Sequence, residues 1–263
     1  MNYREIVAEL DARIPDGWVD PTWQRNLSEM EQELLLDDGA LDPDFVAITS
    51  RFCGSDGSET EAWRPRIEKR ALKSPFPTAD GLTIMQSSAF AELAEKIDMD
   101  FESLEGVLVW GGGYGSQLAI LKQLAPQAMI VAVDIPISLV AQLEYCDQQG
   151  LPTSWAPEGK CEPGAINFVP LSGVTAVPHV DFFVATHSLS ECPVALQNYV
   201  AHDRDWFDAR YLMLAHAPNA FFNEDVFGNF DQLFQGFERQ YPSAFCESED
   251  WANPGERIFD RGQ

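Results

Sequence analysis

Residues 106–116, GVLVWGGGYGS, form an apolar run that breaks into four glycines within five positions, and the next apolar run, MIVAVD, closes on Asp134. A strand that ends in a glycine-rich turn and feeds a helix brings backbone close to a ligand. An acidic residue at the end of the following strand can hold a ribose through its two hydroxyls. Asp134 lies 23 residues after Gly111, about the length of a turn, a helix, a loop and a strand. The pattern predicts a βαβ unit that binds a nucleoside-containing cofactor.

The spacing of the glycines narrows the choice of cofactor. Gly111, Gly113 and Gly115 give G-x-G-x-G, whereas the dinucleotide fingerprint G-x-G-x-x-G needs a glycine where the chain has Ser116. No Gly-Lys-Ser/Thr follows, so nothing here is built as a P-loop for a triphosphate.

The segments VLVWGGGYGSQLAIL, VAVDIPISLVAQLEY and VDFFVATHSLSECPVALQNYV, in that order, resemble a class I S-adenosylmethionine-dependent methyltransferase and, more narrowly, the sugar O-methyltransferase family. The resemblance covers Gly106 to Val200. It implies S-adenosyl-L-methionine as cofactor, with Asp134 on the ribose and the Gly111–Gly115 turn near the methionine end. The contacts it implies are Gly111, Gly112, Gly113, Tyr114, Gly115, Asp134, Ile135, Pro170, Leu171 and Thr186. The chain departs from the family at Val109, where a carboxylate that helps to hold the methionine moiety is usual. Either another group substitutes there or cofactor affinity is reduced.

Forty-two acidic residues against seventeen basic ones give a formal charge of −25. Such a field repels nucleic acid and anionic membrane. The five cysteines are scattered without C-x-x-C spacing, which suggests neither a disulfide framework nor a zinc site. The N-terminus MNYREIVAELDARIP has no continuous apolar stretch, and nowhere do eighteen apolar residues run together. The expected location is cytoplasmic, and a homodimer stays open as a partner.

Apolar periodicity divides the chain near residue 104. Residues 1–104 read as a helical N-terminal cap, with amphipathic stretches at Tyr3–Arg13, Leu27–Leu36 and Ser87–Ile97 separated by Pro and Gly breaks. Residues 105–263 alternate between strand and helix: strands at Val107–Trp110, Met129–Val133, Ile166–Val169, Phe182–Ala185 and Tyr211–His216, and helices at Ser116–Leu124, Ser138–Asp147 and Val226–Tyr241. A further helix is expected to start at Pro193, and strands at Ala244–Glu247 and Arg257–Phe259 would form an antiparallel edge. The expected fold is α/β, a doubly wound, mostly parallel sheet of class I methyltransferase type with an N-terminal helical extension.

Ligands of such sheets bind outside the carboxyl ends of the strands, where Gly111, Asp134, Pro170 and His187 all fall. Methyl transfer to a hydroxyl needs a group to take the proton; His187 in THSLSE is the candidate base, and Glu191 four residues on could orient its imidazole or act as base itself. His216 and Asn219 are candidate acceptor contacts. Arg64, Arg66, Lys69, Arg70 and Lys73 stand against Glu68 alone. That stretch is either a solvated helix face paired with neighbouring carboxylates or, through Arg64 and Arg66, a contact for an anionic acceptor such as a nucleotide-linked sugar. Trp18, Trp23 and Trp63 read as core more readily than as sugar platforms, and no His/Asp/Glu cluster has metal spacing.

The sequence therefore reads as an O-methyltransferase acting on a sugar-like small molecule, the acceptor class coming from the resemblance alone. Two alternatives stay open: an NAD-dependent oxidoreductase using the same Asp134, and a non-catalytic methyltransferase-like binding subunit, suggested by Val109.

Overall fold

The computed structural model describes residues 2–19, 21–52, 60–76, 81–215, 224–246 and 256–262. Helices α1 (Tyr3–Asp11), α2 (Pro21–Leu34), α3 (Phe45–Phe52), α4 (Thr60–Ala71) and α5 (Gly81–Lys96) precede the first strand. The chain then runs through β1 (Gly106–Trp110), α6 (Ser116–Leu124), β2 (Met129–Asp134), α7 (Pro136–Gln148), β3 (Thr153–Trp155) and β4 (Ile166–Pro170). It continues with β5 (Phe182–Thr186), α8 (Val194–Asn198), β6 (Tyr211–Ala215), α9 (Glu224–Gln240), β7 (Ser243–Cys246) and β8 (Glu256–Asp260).

The strands form one sheet in the order β3-β4-β2-β1-β5-β6-β8-β7. β8 runs antiparallel to both β6 and β7, and every other neighbouring pair is parallel. This is the doubly wound, mostly parallel sheet of class I methyltransferase type that the sequence predicts, with the short strand β3 added at one edge. From β1 the chain winds outward through β2 and β4, then crosses back to lay β5 on the other side of β1. The reversal opens a crevice at the carboxyl ends of β1 and β5, the place where such sheets take ligands.

Both faces of the sheet are covered, which is why its central strands read as unbroken apolar runs. All five residues of β1 are buried. Val107 and Val109 point to a layer made by α5, α6 and α7, through Phe90, Leu118 and Leu139. Leu108 and Trp110 point to the opposite layer, with Leu196 of α8 and Phe230 and Phe234 of α9. A separate cluster joins Val7 of α1, Met30 and Leu34 of α2 and Phe45 of α3 to Ile137 and Val140 of α7. The helices before β1 thus have two attachments: α1–α3 lie on α7, and α5 is part of a layer covering the sheet.

Most predicted elements recur within two residues of their expected bounds, but α2 and α5 each begin six residues before the expected starts at Leu27 and Ser87, and α8 begins directly after Pro193. Helix α3, too short to show a period, and the three-residue strand β3 were not anticipated, whereas α4 takes in most of the basic stretch read as a helix face and carries Pro65 inside it. Before β6, Asp205–Asp208 all adopt left-handed backbone and turn Trp206 and Phe207 into the core, where both are buried. No helix among the described residues is long and apolar enough to cross a membrane.

Candidate functional site

The glycine turn is shaped first by the protein's own chain. Gly111, at φ +73°, lies so close to the segment after β5 that an added Cβ would stand 2.3 Å from the Ser188 Cβ. Ser188 in turn donates its hydroxyl to the Trp110 carbonyl. Gly115, at φ +113°, caps α6, and a Cβ there would meet Tyr145 of α7 at 3.0 Å. Gly113 is also left-handed, so the alternate glycines of the motif answer a backbone requirement. Gly112 packs on the Gln142 amide, and Tyr114 is buried with its ring edge-on to Tyr145.

Asp134 ends β2 beside this turn. Its Oδ1 accepts from the Ile135 N–H at 2.8 Å and its Oδ2 from Gln142 Nε2 at 2.8 Å. Gln142 also donates to the Gly113 carbonyl at 3.1 Å, so one amide ties the turn to the carboxylate. Burial pushes the Asp134 pKa up to about 6, although hydrogen bonds from Ile135, Gln142 and Gly112 oppose the rise. Part of Asp134 remains exposed, and each carboxylate oxygen keeps acceptor capacity for a hydroxyl.

Across β1, the segment after β5 carries the second carboxylate. Burial pushes Glu191 up to about 7. Cys192 lies beside it, with its thiol pushed up to about 12 by burial and by the nearby charges of Glu191 and Asp134, partly offset by a hydrogen bond with Trp110. Asp134 and Glu191 therefore flank the end of β1. Gln197 of α8, fully buried, donates to the carbonyls of Ser190, Cys192 and Val226 and fixes this segment against α9.

His187 is exposed and adopts φ +56°, while its N–H donates to the Ala215 carbonyl at 3.0 Å. Left-handed backbone at a residue other than glycine is strained, and such strain collects at functional sites. Thr186, one residue earlier, accepts from Gln117 Nε2 at 2.7 Å. Pro170 and Leu171 are buried at the end of β4, with Pro170 in register with Asp134. Ile135 lines a cleft of about 450 Å³ with Val7, Asp11, Ile14, Glu31 and Ile137, where the first two helices overhang the edge next to Asp134.

Four buried side-chain oxygens without a hydrogen-bond partner belong to segments at these strand ends: Gln117 Oε1, Gln142 Oε1, Ser172 Oγ and Ser190 Oγ. A buried acceptor left unpaired costs free energy, and a set of them at one edge suits a ligand that brings donors. A vicinal diol at Asp134 and a cationic head near the glycine turn fit this edge, so the residues present suit an adenosyl sulfonium.

The other candidates are placed differently. His216 and Asn219 lie outside the described residues, as do the side chains of Arg66, Trp23 and Trp63. Arg64 is exposed on α4, which packs on α5. In the same basic stretch Lys73 pairs with Glu92 at 3.0 Å and Arg70 donates to the Met85 carbonyl at 3.2 Å. Trp18 packs on Tyr199 at 4.8 Å between ring centroids. Among the described residues no group of three or more His, Cys, Asp or Glu could hold a metal ion.

Sequence reasoning missed Gln117, Gln142 and Gln197. A signal existed: each sits in an apolar helical stretch (SQLAIL, LVAQL, VALQN), and a polar residue at a core-facing position of such a run is held by specific partners.

No family model and no curated protein matches the chain. Among solved structures, it is similar to the SAH-bound Podospora anserina methyltransferase PaMTH1, at 10% identity and TM-score 0.44 over 92% of this chain and 96% of that one. It is also similar to the N-terminal domain of human METTL16 in complex with SAH, at 10% identity and TM-score 0.45 over 91% and 93%. The mitomycin 7-O-methyltransferase MmcR matches at 12% identity and TM-score 0.39 over 82% of this chain and 65% of that one. Likenesses of this size transfer neither substrate nor chemistry to this chain.

Proposed function

We propose that this chain is an S-adenosylmethionine-dependent O-methyltransferase acting on a hydroxyl of a sugar or glycosylated small molecule. The observation that carries the reading is the pair of carboxylates flanking the end of β1: Asp134, tied to the glycine turn through Gln142, and Glu191, poised near neutral pH. When bound, S-adenosylmethionine supplies a methyl group activated by a sulfonium. Asp134 holds the ribose hydroxyls and so fixes the donor end against the turn. Glu191 takes the acceptor proton as the oxygen–methyl bond forms and the carbon–sulfur bond breaks, its electron pair staying on sulfur. His187, exposed at the same edge, orients the acceptor or shares that proton. Alignment supplies the larger part of the acceleration, and a placed base adds roughly 10²–10⁴ in rate.

The acceptor class rests on the family resemblance of residues 106–200, and the charge of −25 disfavours a nucleic-acid acceptor. The basic stretch around Arg64 and Arg66 would meet an anionic part of the acceptor. Reversal of both to glutamate then raises the acceptor KM without changing cofactor affinity.

Binding separates this reading from a nicotinamide enzyme. S-adenosylhomocysteine should raise the Tm with increasing concentration, following RT ln(1 + [L]/Kd), while NAD leaves it unchanged. Stabilisation by NAD and none by S-adenosylhomocysteine would overturn the proposal. With an acceptor in hand, Glu191→Gln should lower kcat by about 10²–10⁴ with little effect on the Kd of S-adenosylhomocysteine. Binding without turnover on a broad panel of sugar hydroxyls would favour the non-catalytic subunit.

A further inference from the structure

We infer that the Gln117 carbonyl is the acceptor for the ammonium group of the donor's amino-acid end, making Gln117 a cofactor-binding residue; this rests on the methyltransferase reading above. Gln117 lies in the first turn of α6, directly after the glycine turn, and is 7% exposed. Its Nε2 is committed to Thr186 Oγ1, which leaves Oε1 buried and without a donor. Its neighbour Ser116 is already satisfied by Gln86 of α5 at 2.8 Å.

The place is defined by the sheet. Val109 and Val184 are register partners on β1 and β5, fully buried on the face that carries α6. Thr186 lies two positions beyond Val184, so its side chain points to the same face one pleat nearer the carboxyl edge. The Gln117–Thr186 pair therefore roofs the apolar Val109–Val184 layer, and neither valine offers a charge that could receive a cation. A buried amide oxygen needs an N–H donor, and one that carries a positive charge makes the stronger bond.

The spacing agrees with the two ends of one ligand. Asp134 ends β2 and Thr186 ends β5, with β1 between them, so the two anchors are about 10 Å apart across the sheet at ordinary strand spacing. S-adenosylmethionine brings a ribose diol to the first anchor and, beyond its sulfur, an ammonium to the second. The N–H groups at the start of α6 suit the adjacent carboxylate of the same amino-acid end.

Calorimetry with two ligands tests this. S-adenosylhomocysteine carries the amino-acid end, and 5′-methylthioadenosine keeps adenine, ribose and sulfur but lacks it. Gln117→Leu should weaken S-adenosylhomocysteine by about tenfold to a hundredfold and leave 5′-methylthioadenosine unchanged. Gln117→Glu should recover or exceed the wild-type affinity for S-adenosylhomocysteine only. Should Gln117→Leu not fold, Thr186→Val, which frees the amide from its anchor, should weaken S-adenosylhomocysteine selectively to a smaller degree. Equal effects on both ligands, or no effect on either, in a folded variant would overturn the role of Gln117. If neither ligand binds the wild-type chain, the methyltransferase reading itself has failed.

Discussion

The two ends of the parallel strands treat polar groups in opposite ways. At the amino ends they are satisfied: Asp181 accepts from the N–H groups of Glu105 and Gly106 at 2.6 and 2.9 Å, where β1 begins. Buried Lys122 donates to the carbonyls of Pro126 and Ala128 just before β2. Arg204 gathers the carbonyls of Val174, Thr175 and Val177 ahead of β5, and Arg261 ties Asp205 and the Ala209 carbonyl ahead of β6. At the carboxyl ends, by contrast, four buried oxygens lack partners and two carboxyls are held well above their usual range. One end closes the fold, and the other keeps interaction capacity that folding alone does not use.

Substitutions that separate stability from binding test the contrast. The largest effect is expected where the carboxyl edge is itself structural. Gly111→Val forces a Cβ into Ser188 at a left-handed position, and should cost about 2–4 kcal/mol of stability, read as a fall in Tm. An unchanged Tm would mean that the turn and the Ser188 segment do not pack as described.

Next comes Asp134→Asn, which should weaken S-adenosylhomocysteine by about tenfold to a hundredfold while leaving the apoprotein as stable or more so at pH 7. The sign follows from linkage. The folded-state pKa, about 6, lies above the ordinary value of 3.8, so the native state binds more protons between these pH values, and stability falls as pH rises through that window. Glu191 adds the same sign between 4.5 and about 7. Tm of the apoprotein should therefore rise as pH drops from 7.5 to 5, while affinity for the ribose-bearing ligand falls. The Tm advantage of Asp134→Asn over wild type should vanish near pH 4; an advantage that persists there would assign it to packing.

At the amino ends, Asp181→Ala should cost about 1–3 kcal/mol of stability through the two N–H groups it releases, with no change in the Kd of S-adenosylhomocysteine. Lys122→Met should have the smallest effect, about 1 kcal/mol, because the apolar stem is retained and only the bonds to the two carbonyls are lost. A loss of ligand affinity in either variant would break the division of labour between the two ends.

Much of the fold was legible because its signal is local. α6 appears at its expected bounds, and β1, β2, β4 and β5 each differ from expectation by a single residue, since buried parallel strands and their crossover helices write their periods directly into the chain. α3 and β3 are too short to write a period. In the site, Asp134 was visible as a strand-end acid and Glu191 as an acid four residues after His187, whereas nothing near them in sequence shows that they flank one cysteine across β1.

The amino-acid sequence by itself determined the alternation of strand and helix, the glycine turn after Trp110 and the acid that closes β2, because each depends on neighbours within a few residues. Only the tertiary structure decided that α5 joins the layer over the sheet, that Ser188 and α7 fill the space beside the glycines, and that Gln117 and Gln142 end with buried, unpaired oxygens. Burial and pairing are properties of groups far apart in the chain, and they take their values when the strands line up.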